Sequence, residues 1–221
     1  SPFRYHKQAL VYLPADLPDP MHASYAEAAA ERAFELCEAS RGRALLLFTS
    51  FRSLKTAEAL FRKSGKFPLL VQGERPRHVL LESLKSNVGS VLLATQGFWE
   101  GVDVPGQALS LVVMDRLPFA VPDDPLTAAR IERIREQEGD PFGAYQVPRA
   151  ALALRQGFGR LIRTSFDRGV VAILDGRITR KSYGASLLSS LPAECPRTED
   201  IQDVHAFFTQ DESHADRNLN S

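Results

Sequence analysis

Short apolar runs alternate with amphipathic segments along most of the chain. The apolar runs are rich in Val, Leu and Ile and alternate little with polar residues, which is typical of strands buried on both faces. They predict strands over 9–13, 44–48, 68–71, 90–94, 109–114 and 169–174. The segments between them predict helices over 22–39, 53–64, 76–86, 124–138, 148–163 and 179–190. The alternation predicts an α/β fold, with a mostly parallel sheet covered by helices on both faces.

Capping residues mark several of the predicted helix ends. Gly65 and Gly89 follow predicted helices, where a left-handed C-terminal cap favours glycine. Ser53 is the predicted N-cap of the helix that it opens, and Asp123 or Asp124 caps a later one. These residues support the boundaries predicted from the apolar pattern.

Three stretches depart from the alternating pattern. Residues 14–21 contain three prolines and predict an extended segment. Residues 115–123 contain two more prolines and predict a functional loop or partner surface with an exposed Phe119. After Pro192 the chain is acidic and polar, apart from four apolar residues that predict a short docked helix before a disordered end. Those four residues share a helical face: Ile201, Val204, Phe207 and Phe208.

The predicted helix over 148–163 combines an apolar face with a cationic one. Its apolar face holds Ala151, Leu154, Phe158, Leu161 and Ile162. Its opposite face holds Arg149, Gln156, Arg160 and Arg163. Gly157 and Gly159 each cost about 1 kcal/mol relative to alanine inside a helix, which indicates close approach to the backbone. Two guanidinium groups and an amide beside this gap suit a phosphate; the alternative is a solvated polar face.

The composition is that of one ordinary domain. Of its 221 residues, 44% are hydrophobic and 24% are charged, so a sizeable core can form. No apolar run approaches the roughly 20 residues of a membrane span, and the N-terminus lacks a signal-peptide pattern. Cys37 and Cys195 match no metal spacing and are interpreted as buried thiols. We therefore expect a cytoplasmic protein with no membrane partner and no metal site of its own.

The formal net charge is zero, but the charges are segregated. Residues 41–87 carry ten Lys and Arg against three acids, and residues 149–181 carry eight against two. Local basic fields steer a polyanion more than the total charge does. The segregation is compatible with a nucleic-acid partner, although many α/β domains share it.

Polar and aromatic residues follow the second predicted strand. Ligands of open α/β sheets gather outside the carboxyl ends of the strands. Thr49, Ser50, Phe51 and Arg52 stand at this position and suit phosphate contact together with base stacking on single-stranded nucleic acid. The alternative is a helix N-cap beside a packed Phe51.

The segment over 95–106 follows the fourth predicted strand and holds three glycines, two aromatic residues and two acids. Thr95 and the backbone of Gly97 suit phosphate contact. The carboxylates of Glu100 and Asp103 are suited to orient an arginine or to accept a hydrogen bond from a ribose hydroxyl. For the two aromatic rings the alternative is a place in the core: Phe98 and Trp99.

In this order, the three segments resemble motifs of the second RecA-like motor domain of superfamily 2 helicases. LLLFTSFRSL resembles helicase motif IV, LLATQGFWEGVDVPG motif V and QGFGRLIR motif VI. The FWEGVD form of motif V, with MDRLPFAVPDDP downstream, points to the DinG-type branch of the XPD/Rad3-like DNA helicases. The resemblance extends from about Leu10 to Phe208 and implies a RecA-like three-layer sandwich.

The resemblance also implies a role for each matching residue. Arg160 and Arg163 would be arginine fingers that reach the γ-phosphate of ATP, with Gln156 sensing the nucleotide from the same face. Glu100, Asp103 and Gly159 would couple the nucleotide state to motif V. Members of the family move along single-stranded DNA from 5′ to 3′. Contacts to the DNA would come from Thr49, Ser50, Phe51, Arg52, Thr95, Gln96, Gly97 and Trp99. Trp99 would also pack the loop.

The family places other parts of the enzyme in a first motor domain. This chain has no G-x-x-x-x-G-K-[ST] P-loop and no Asp-Glu-Ala-His type box, and two cysteines cannot hold a four-cysteine iron–sulfur cluster. ATP and Mg²⁺ would therefore be shared with an N-terminal P-loop domain of the same protein, where an iron–sulfur cluster would also lie. Alone, the chain is expected neither to hydrolyse ATP nor to unwind DNA.

We divide the chain into an N-terminal segment with the first strand over 1–21, a motor domain over 22–192, and a short helix with a disordered tail over 193–221. Two other functions stay open. One is a stand-alone nucleic-acid-binding module without motor activity, and the other is a regulatory domain whose arginines bind a phosphate or nucleotide. The hypothesis carried forward is the second motor domain of an ATP-dependent DNA helicase.

Overall fold

A computed structural model of the chain contains a sheet of seven parallel strands. It describes residues 3–99, 104, 106–119, 125–137, 139–164 and 166–219. Only the backbone is described at residues 96, 99, 126, 160 and 211–219. The strands are β1 (Ala9–Tyr12), β2 (Ala44–Phe48), β3 (Leu69–Val71), β4 (Val91–Thr95), β5 (Leu111–Met114), β6 (Gly169–Ile173) and β7 (Arg197–Thr198). Their order is β3-β4-β2-β5-β6-β1-β7, and each neighbouring pair is parallel. The six predicted strands are confirmed, whereas the two-residue β7 was not predicted.

Helices connect and cover the strands. They are α1 (Tyr5–Gln8), α2 (Tyr25–Ser40), α3 (Phe51–Ser64), α4 (Arg77–Ser86), α5 (Pro125–Glu136), α6 (Val147–Leu161), α7 (Arg177–Arg180), α8 (Gly184–Ser189) and α9 (Ile201–Leu219). A 3-10 helix spans Gln96–Trp99, and a π-helix over Phe142–Gln146 leads directly into α6.

Alternate residues of each central strand face two separate cores. In β2, Leu45 and Leu47 pack with α4, α6, α7 and α8, whereas Leu46 and Phe48 pack with α2, α3 and α9. Because side chains alternate across a strand, a run that is apolar throughout can feed both cores. The result is a sandwich of helices, sheet and helices, which confirms the predicted architecture.

Two predicted helices differ from those observed. The segment over 179–190 forms α7 and α8 rather than one helix, because the chain turns back so tightly that a Cβ on Gly184 would stand 1.8 Å from the carbonyl oxygen of Ile178. The last helix, α9, continues to Leu219, further than the short helix that the apolar spacing predicted.

The observed caps correct two predicted ones. Ser50, not Ser53, caps α3, with its Oγ accepting a hydrogen bond from the Ser53 amide at 3.2 Å. Gly65 is confirmed as the left-handed C-cap of α3, with φ of 62°. At the end of α4 the cap is Asn87, and Gly89 lies beyond it with φ of 101°.

Cys37 and Cys195 are free and buried, as predicted. Burial raises the pKa of the Cys195 thiol to about 12 and that of Cys37 well above its usual range, so both thiols stay protonated. In the described ranges, no helix has the length and apolar content to cross a membrane. Nor do the His, Cys, Asp and Glu side chains described here form a group suited to a metal ion.

Substitution of Gly42, between α2 and β2, tests how closely the chain packs before β2 and β4. Its φ is 75°, and a Cβ there would stand 1.9 Å from the carbonyl oxygen of Gly89. We expect Gly42→Ala to lower the free energy of unfolding by about 2–5 kcal/mol, from left-handed strain plus overpacking.

The matched control is Gly65→Ala. Gly65 has a similar φ of 62° but no heavy atom of the described chain within 4 Å of its Cβ position, so only the left-handed penalty of about 1–2 kcal/mol applies. Urea unfolding of both variants measures the difference. Equal losses would contradict the close contact at Gly42.

Candidate functional site

The segments after β2 and β4 lie side by side at the carboxyl edge of the sheet. Phe48, the last residue of β2, is paired in register with Thr95, the last residue of β4. Parallel pairing therefore brings residues 49–52 next to residues 95–97. The sequence predicted that both segments follow strands at the carboxyl edge, which is confirmed, but not that the two strands are neighbours.

The segment over 49–52 starts α3 and leaves an aromatic ring in solvent. Ser50 caps the helix, so its hydroxyl is engaged with the backbone and with the Ser53 hydroxyl at 3.1 Å. Phe51 is 57% exposed, and Arg52 is also exposed. The alternative interpretation is thus half right, because the cap is present but the ring is not packed. An exposed phenylalanine beside a guanidinium group can stack on a base.

A buried carboxylate, Asp115, fixes the start of this segment. Its Oδ1 accepts a hydrogen bond from the Thr49 amide at 2.9 Å, and the Tyr25 hydroxyl donates to the Asp115 carbonyl. Asp115 is 3% exposed, and its Oδ2 has no hydrogen-bond partner among the described residues. Burial raises its pKa to about 6, against the lowering effect of the Thr49 hydrogen bond. Sequence reasoning missed this role, and its only signal was a polar residue directly after an apolar strand.

A second buried carboxylate, Asp175, lies just after β6 and holds the loop after β5. It accepts a hydrogen bond from the Leu117 amide at 3.0 Å and pairs with Arg177, whose Nη2 lies 2.6 Å from its Oδ2. Arg177 also lies over the ring of Phe119, 5.9 Å from the centroid. Phe119 is half-buried rather than fully exposed as predicted, since it packs against Phe142 and Tyr183.

The segment after β4 is held by two residues that the sequence did not single out. Gln72 Oε1 accepts from the Thr95 amide at 2.7 Å and from its hydroxyl at 3.1 Å. Arg77 donates to the Phe98 carbonyl at 2.8 Å and lies over its ring. Phe98 is 5% exposed, so the core interpretation of this ring is confirmed. A phosphate contact by Thr95 would require its hydroxyl to exchange Gln72 for the phosphate.

The backbone at Gly97 is exposed, with no heavy atom of the described chain within 4 Å of its Cβ position. Such an open backbone is suited to a phosphate. The side chains of Gln96 and Trp99, and all of Glu100 and Asp103, lie outside the described residues. Their predicted roles stay predictions.

Helix α6 buries one face and exposes the other. Leu154, Phe158 and Leu161 are almost fully buried, as predicted. Gln156 and Gly159 lie on the exposed side, and apart from the backbone of α6 itself and the chain neighbours no heavy atom of the described chain lies within 4 Å of the Cβ position of Gly159. Any close approach to this glycine must therefore come from outside the described residues. The Arg160 backbone is helical, and its side chain lies outside the described residues.

The predicted placement of Arg163 on the polar face of this helix is wrong. Helix α6 ends at Leu161, and Ile162 is extended, with φ of −116° and ψ of 102°. The amides of Arg163 and Thr164 donate instead to Asp167 Oδ2, at 2.8 and 2.7 Å. Because a carboxylate captures the hydrogen bonds that would continue the helix, Arg163 lies in a turn before β6 and is half-buried.

This turn meets the far end of the motif V segment. A Cβ on Gly106 would stand 2.2 Å from Asp167 Oδ1, so Gly106 lies directly against the turn over 163–167. Both segments precede parallel strands, β5 and β6, and so lie at the amino edge of the sheet. The structure thus separates the predicted site residues into two groups, and residues 95–106 run from one group to the other.

Sequence relatives share most of this chain. A family described as "Helicase C-terminal domain" matches residues 33–194. The chain is 44% identical over 208 residues to a Haemophilus influenzae protein named ATP-dependent DNA helicase YoaA, covering 94% of this chain and 32% of that protein. It is 42% identical over 194 residues to ATP-dependent helicase DinG of Mycobacterium tuberculosis, covering 87% and 29%. The chain therefore spans about a third of the length of these relatives.

Solved structures share its fold. The structure of S. tokodaii Xpd4 matches with a TM-score of 0.61 at 20% identity, covering 86% of this chain and 38% of that one. A structure named XPD_Helicase matches with a TM-score of 0.65 at 16% identity, covering 86% and 35%. These likenesses confirm the predicted RecA-like fold.

Substitution of Asp115 tests whether its buried carboxylate titrates as the structure indicates. Its pKa is higher in the folded chain than in the unfolded one, so its contribution to stability is fully present below about pH 4 and is lost as the pH rises through about 6. We expect Asp115→Asn to avoid this loss and to stabilise the chain near neutral pH by roughly 1–2 kcal/mol.

Urea unfolding of both proteins across this pH range measures the effect. The stability gap between variant and parent is expected to widen between about pH 4 and 6 and to stay constant above. A gap that is the same at every pH would show that Asp115 is not the titrating group.

Proposed function

This chain belongs to the helicase C-terminal domain family, in its DinG-type, XPD-like branch, and from that premise we propose that it is the nucleotide- and DNA-contacting second motor domain of an ATP-dependent 5′–3′ DNA helicase. Its relatives at 42–44% identity are named as ATP-dependent helicases. Because the chain spans only about a third of those relatives, the activity belongs to a longer protein. A P-loop domain of that protein would bind ATP and Mg²⁺, whose charge neutralises the phosphate oxygens during transfer.

The amino edge of the sheet would face the nucleotide. There the exposed side of α6 offers Gln156 and the open backbone of Gly159, next to Arg160 and the turn that carries Arg163. A guanidinium group that reaches across a domain cleft stabilises charge on the γ-phosphate in the transition state. Arg160 and Arg163 are our proposed arginine fingers, and Gln156 would contact the nucleotide from the same side.

The carboxyl edge would hold single-stranded DNA. Phe51 and Arg52 project into solvent, and the open backbone of Gly97 lies beside them. This set suits backbone contact and base stacking without sequence preference. Ser50 would act mainly through its cap on α3, whereas Thr49 and Thr95 would present hydroxyl groups next to one another. Gln96 and Trp99 complete the proposed DNA contacts.

One observation carries the proposal: a single segment connects the two edges. Residues 95–106 leave β4 beside the DNA-facing turn, and Gly106 lies against the turn of Arg163. A shift of one turn on nucleotide binding would therefore be passed along this segment to the other edge. Glu100 and Asp103, within the segment, are our proposed coupling residues. An iron–sulfur cluster in the rest of the protein and a cytoplasmic location both stay predictions.

Substitution of Arg163 tests the catalytic part of this proposal. In the full-length protein, Arg163→Ala is expected to lower DNA-stimulated ATP hydrolysis by about 10³-fold or more, because an arginine finger contributes this much to the rate. Binding of single-stranded DNA is expected to persist, since Arg163 lies at the opposite edge. ATPase rates with and without single-stranded DNA, together with DNA affinity, measure both effects.

The control is Arg135→Ala, on α5, where Arg135 is exposed and pairs with Glu132 at 3.3 Å; its ATPase rate is expected to match the parent. Loss of ATPase and of DNA binding together in a folded Arg163→Ala protein would count against the assignment. Hydrolysis of ATP by this chain alone would reveal a phosphate site that the proposal lacks.

Phe51 tests the DNA-facing edge. Loss of a ring that stacks on a base costs about 1–3 kcal/mol, so Phe51→Ala is expected to weaken binding of single-stranded DNA by about 5- to 150-fold. Fluorescence anisotropy with a labelled oligonucleotide measures the affinity of the full-length protein. The control is Val88→Ala, because Val88 is equally exposed, at 58%, but lies before β4 at the other edge. Equal affinities of the two variants would refute the stacking role.

A further inference from the structure

The turn that carries Arg163 is held in place by a residue with no role so far in the proposed reaction. Asp167 Oδ2 accepts hydrogen bonds from the amides of Arg163 and Thr164, at 2.8 and 2.7 Å. Its other oxygen, Oδ1, lies where a side chain on Gly106 would otherwise stand. One carboxylate therefore contacts the turn of motif VI and the end of motif V.

A second side chain holds the same turn from the opposite side. Gln8, in α1, is 5% exposed, and its Nε2 donates to the carbonyls of Thr164 and Asp167, at 2.9 and 3.0 Å. Its Oε1 accepts from the Arg4 amide at 2.7 Å. Two amides and two carbonyls of the turn are thus bonded to side chains, which restrains its backbone. Gln8 lies outside residues 33–194, which the family match covers.

We propose that Asp167 is the positioning residue that keeps Arg163 out of the helix and directs it towards the nucleotide. This inference rests on the proposed catalytic role of Arg163. Without the carboxylate, the amide of Arg163 is free to donate to the carbonyl of Gly159, as in a continued α-helix. Arg163 would then rotate onto the face of α6 at about 100° per residue and leave its place before β6.

Hydrogen bonds to a carboxylate are roughly twice as strong as those between neutral groups, so Asp167 favours the turn over one more helical step. Gln8 supports the turn but does not compete for the amides. The Asp167 carboxylate therefore decides between the two backbone conformations.

The experiment uses the full-length protein and steady-state ATPase kinetics. Asp167→Ala is expected to lower the DNA-stimulated kcat by about 10- to 100-fold, because a displacement of a catalytic group by about 1 Å has effects of this size. The KM for ATP and the affinity for single-stranded DNA are expected to stay unchanged. Asp167→Asn, which retains an acceptor oxygen, is expected to recover part of the lost kcat.

The matched control is Asp140→Ala. Asp140 also accepts from two nearby amides, those of Phe142 and Gly143 at 2.9 and 3.0 Å, and a Cβ on Gly143 would stand 2.6 Å from its Oδ2. This residue lies before the π-helix, away from the turn of Arg163. Its substitution removes an equivalent cap and is expected to leave kcat unchanged.

A double-mutant cycle separates positioning from a general loss of structure. On an Arg163→Lys background, which retains the charge but not the geometry of the guanidinium, substitution of Asp167 is expected to cost much less than in the parent. Additive effects of the two substitutions would overturn the inference. If Asp167→Ala does not fold, the same cycle with Asp167→Asn gives the answer.

Different results would refute the proposed function and the positioning role of Asp167. Normal ATPase activity in Arg163→Ala would refute the proposed function itself. Loss of ATPase in Arg163→Ala together with a normal kcat in both Asp167 variants would refute only the positioning role.

Discussion

Parallel pairing of every strand is the constraint from which the organisation of this domain follows. Because all strands run the same way, each connection must return from the carboxyl edge of the sheet to the amino edge. Most connections do so through a helix, and these helices form the two outer layers. The connection from β4 to β5 differs, since its described part contains only a short 3-10 helix before Gly106 reaches the amino edge. The two ends of this segment therefore lie at opposite edges of the sheet, as the proposed coupling of nucleotide to DNA requires.

Carboxylates, two of them buried, keep the loops at these edges in place. Asp115 and Asp175 lie just after β5 and β6 and accept hydrogen bonds from main-chain amides of neighbouring loops. Asp167 accepts such bonds at the opposite edge of the sheet. Loops that lack regular structure have amides without partners, and a carboxylate can satisfy them at the cost of its own desolvation. The raised pKa of Asp115 reflects that cost. Order in these loops thus depends on a few carboxylates in addition to apolar residues, such as Phe98 and Leu117, that reach the core.

The apolar pattern was sufficient for the layers but not for the ends of the elements. The strand β2 and the buried face of α6 could be predicted because their buried positions hold apolar residues at regular spacing. Examples are Leu45, Leu46, Leu154 and Phe158. The end of α6 could not be predicted, because it depends on Asp167, which lies beyond the helix and competes for its last amides. For Ser50 the sequence left a DNA contact and a helix N-cap open, and the bond from the Ser53 amide shows the cap. Gln8, Gln72 and Arg77 act across large sequence separations, and polar residues of this kind carry no periodic signal.

The glycines of this domain differ in whether contacts inside the domain explain them. At Gly42 and Gly106 an added Cβ would collide with the chain itself, so the need for glycine is explained inside the domain. At Gly159, within α6, the described chain leaves the corresponding position open, although a glycine inside a helix costs about 1 kcal/mol relative to alanine. An approaching phosphate or the backbone of a second domain would offset this cost, since either needs the room that a side chain would take. The open position at Gly159 is therefore the feature of the described domain that argues most directly for a partner at the exposed side of α6.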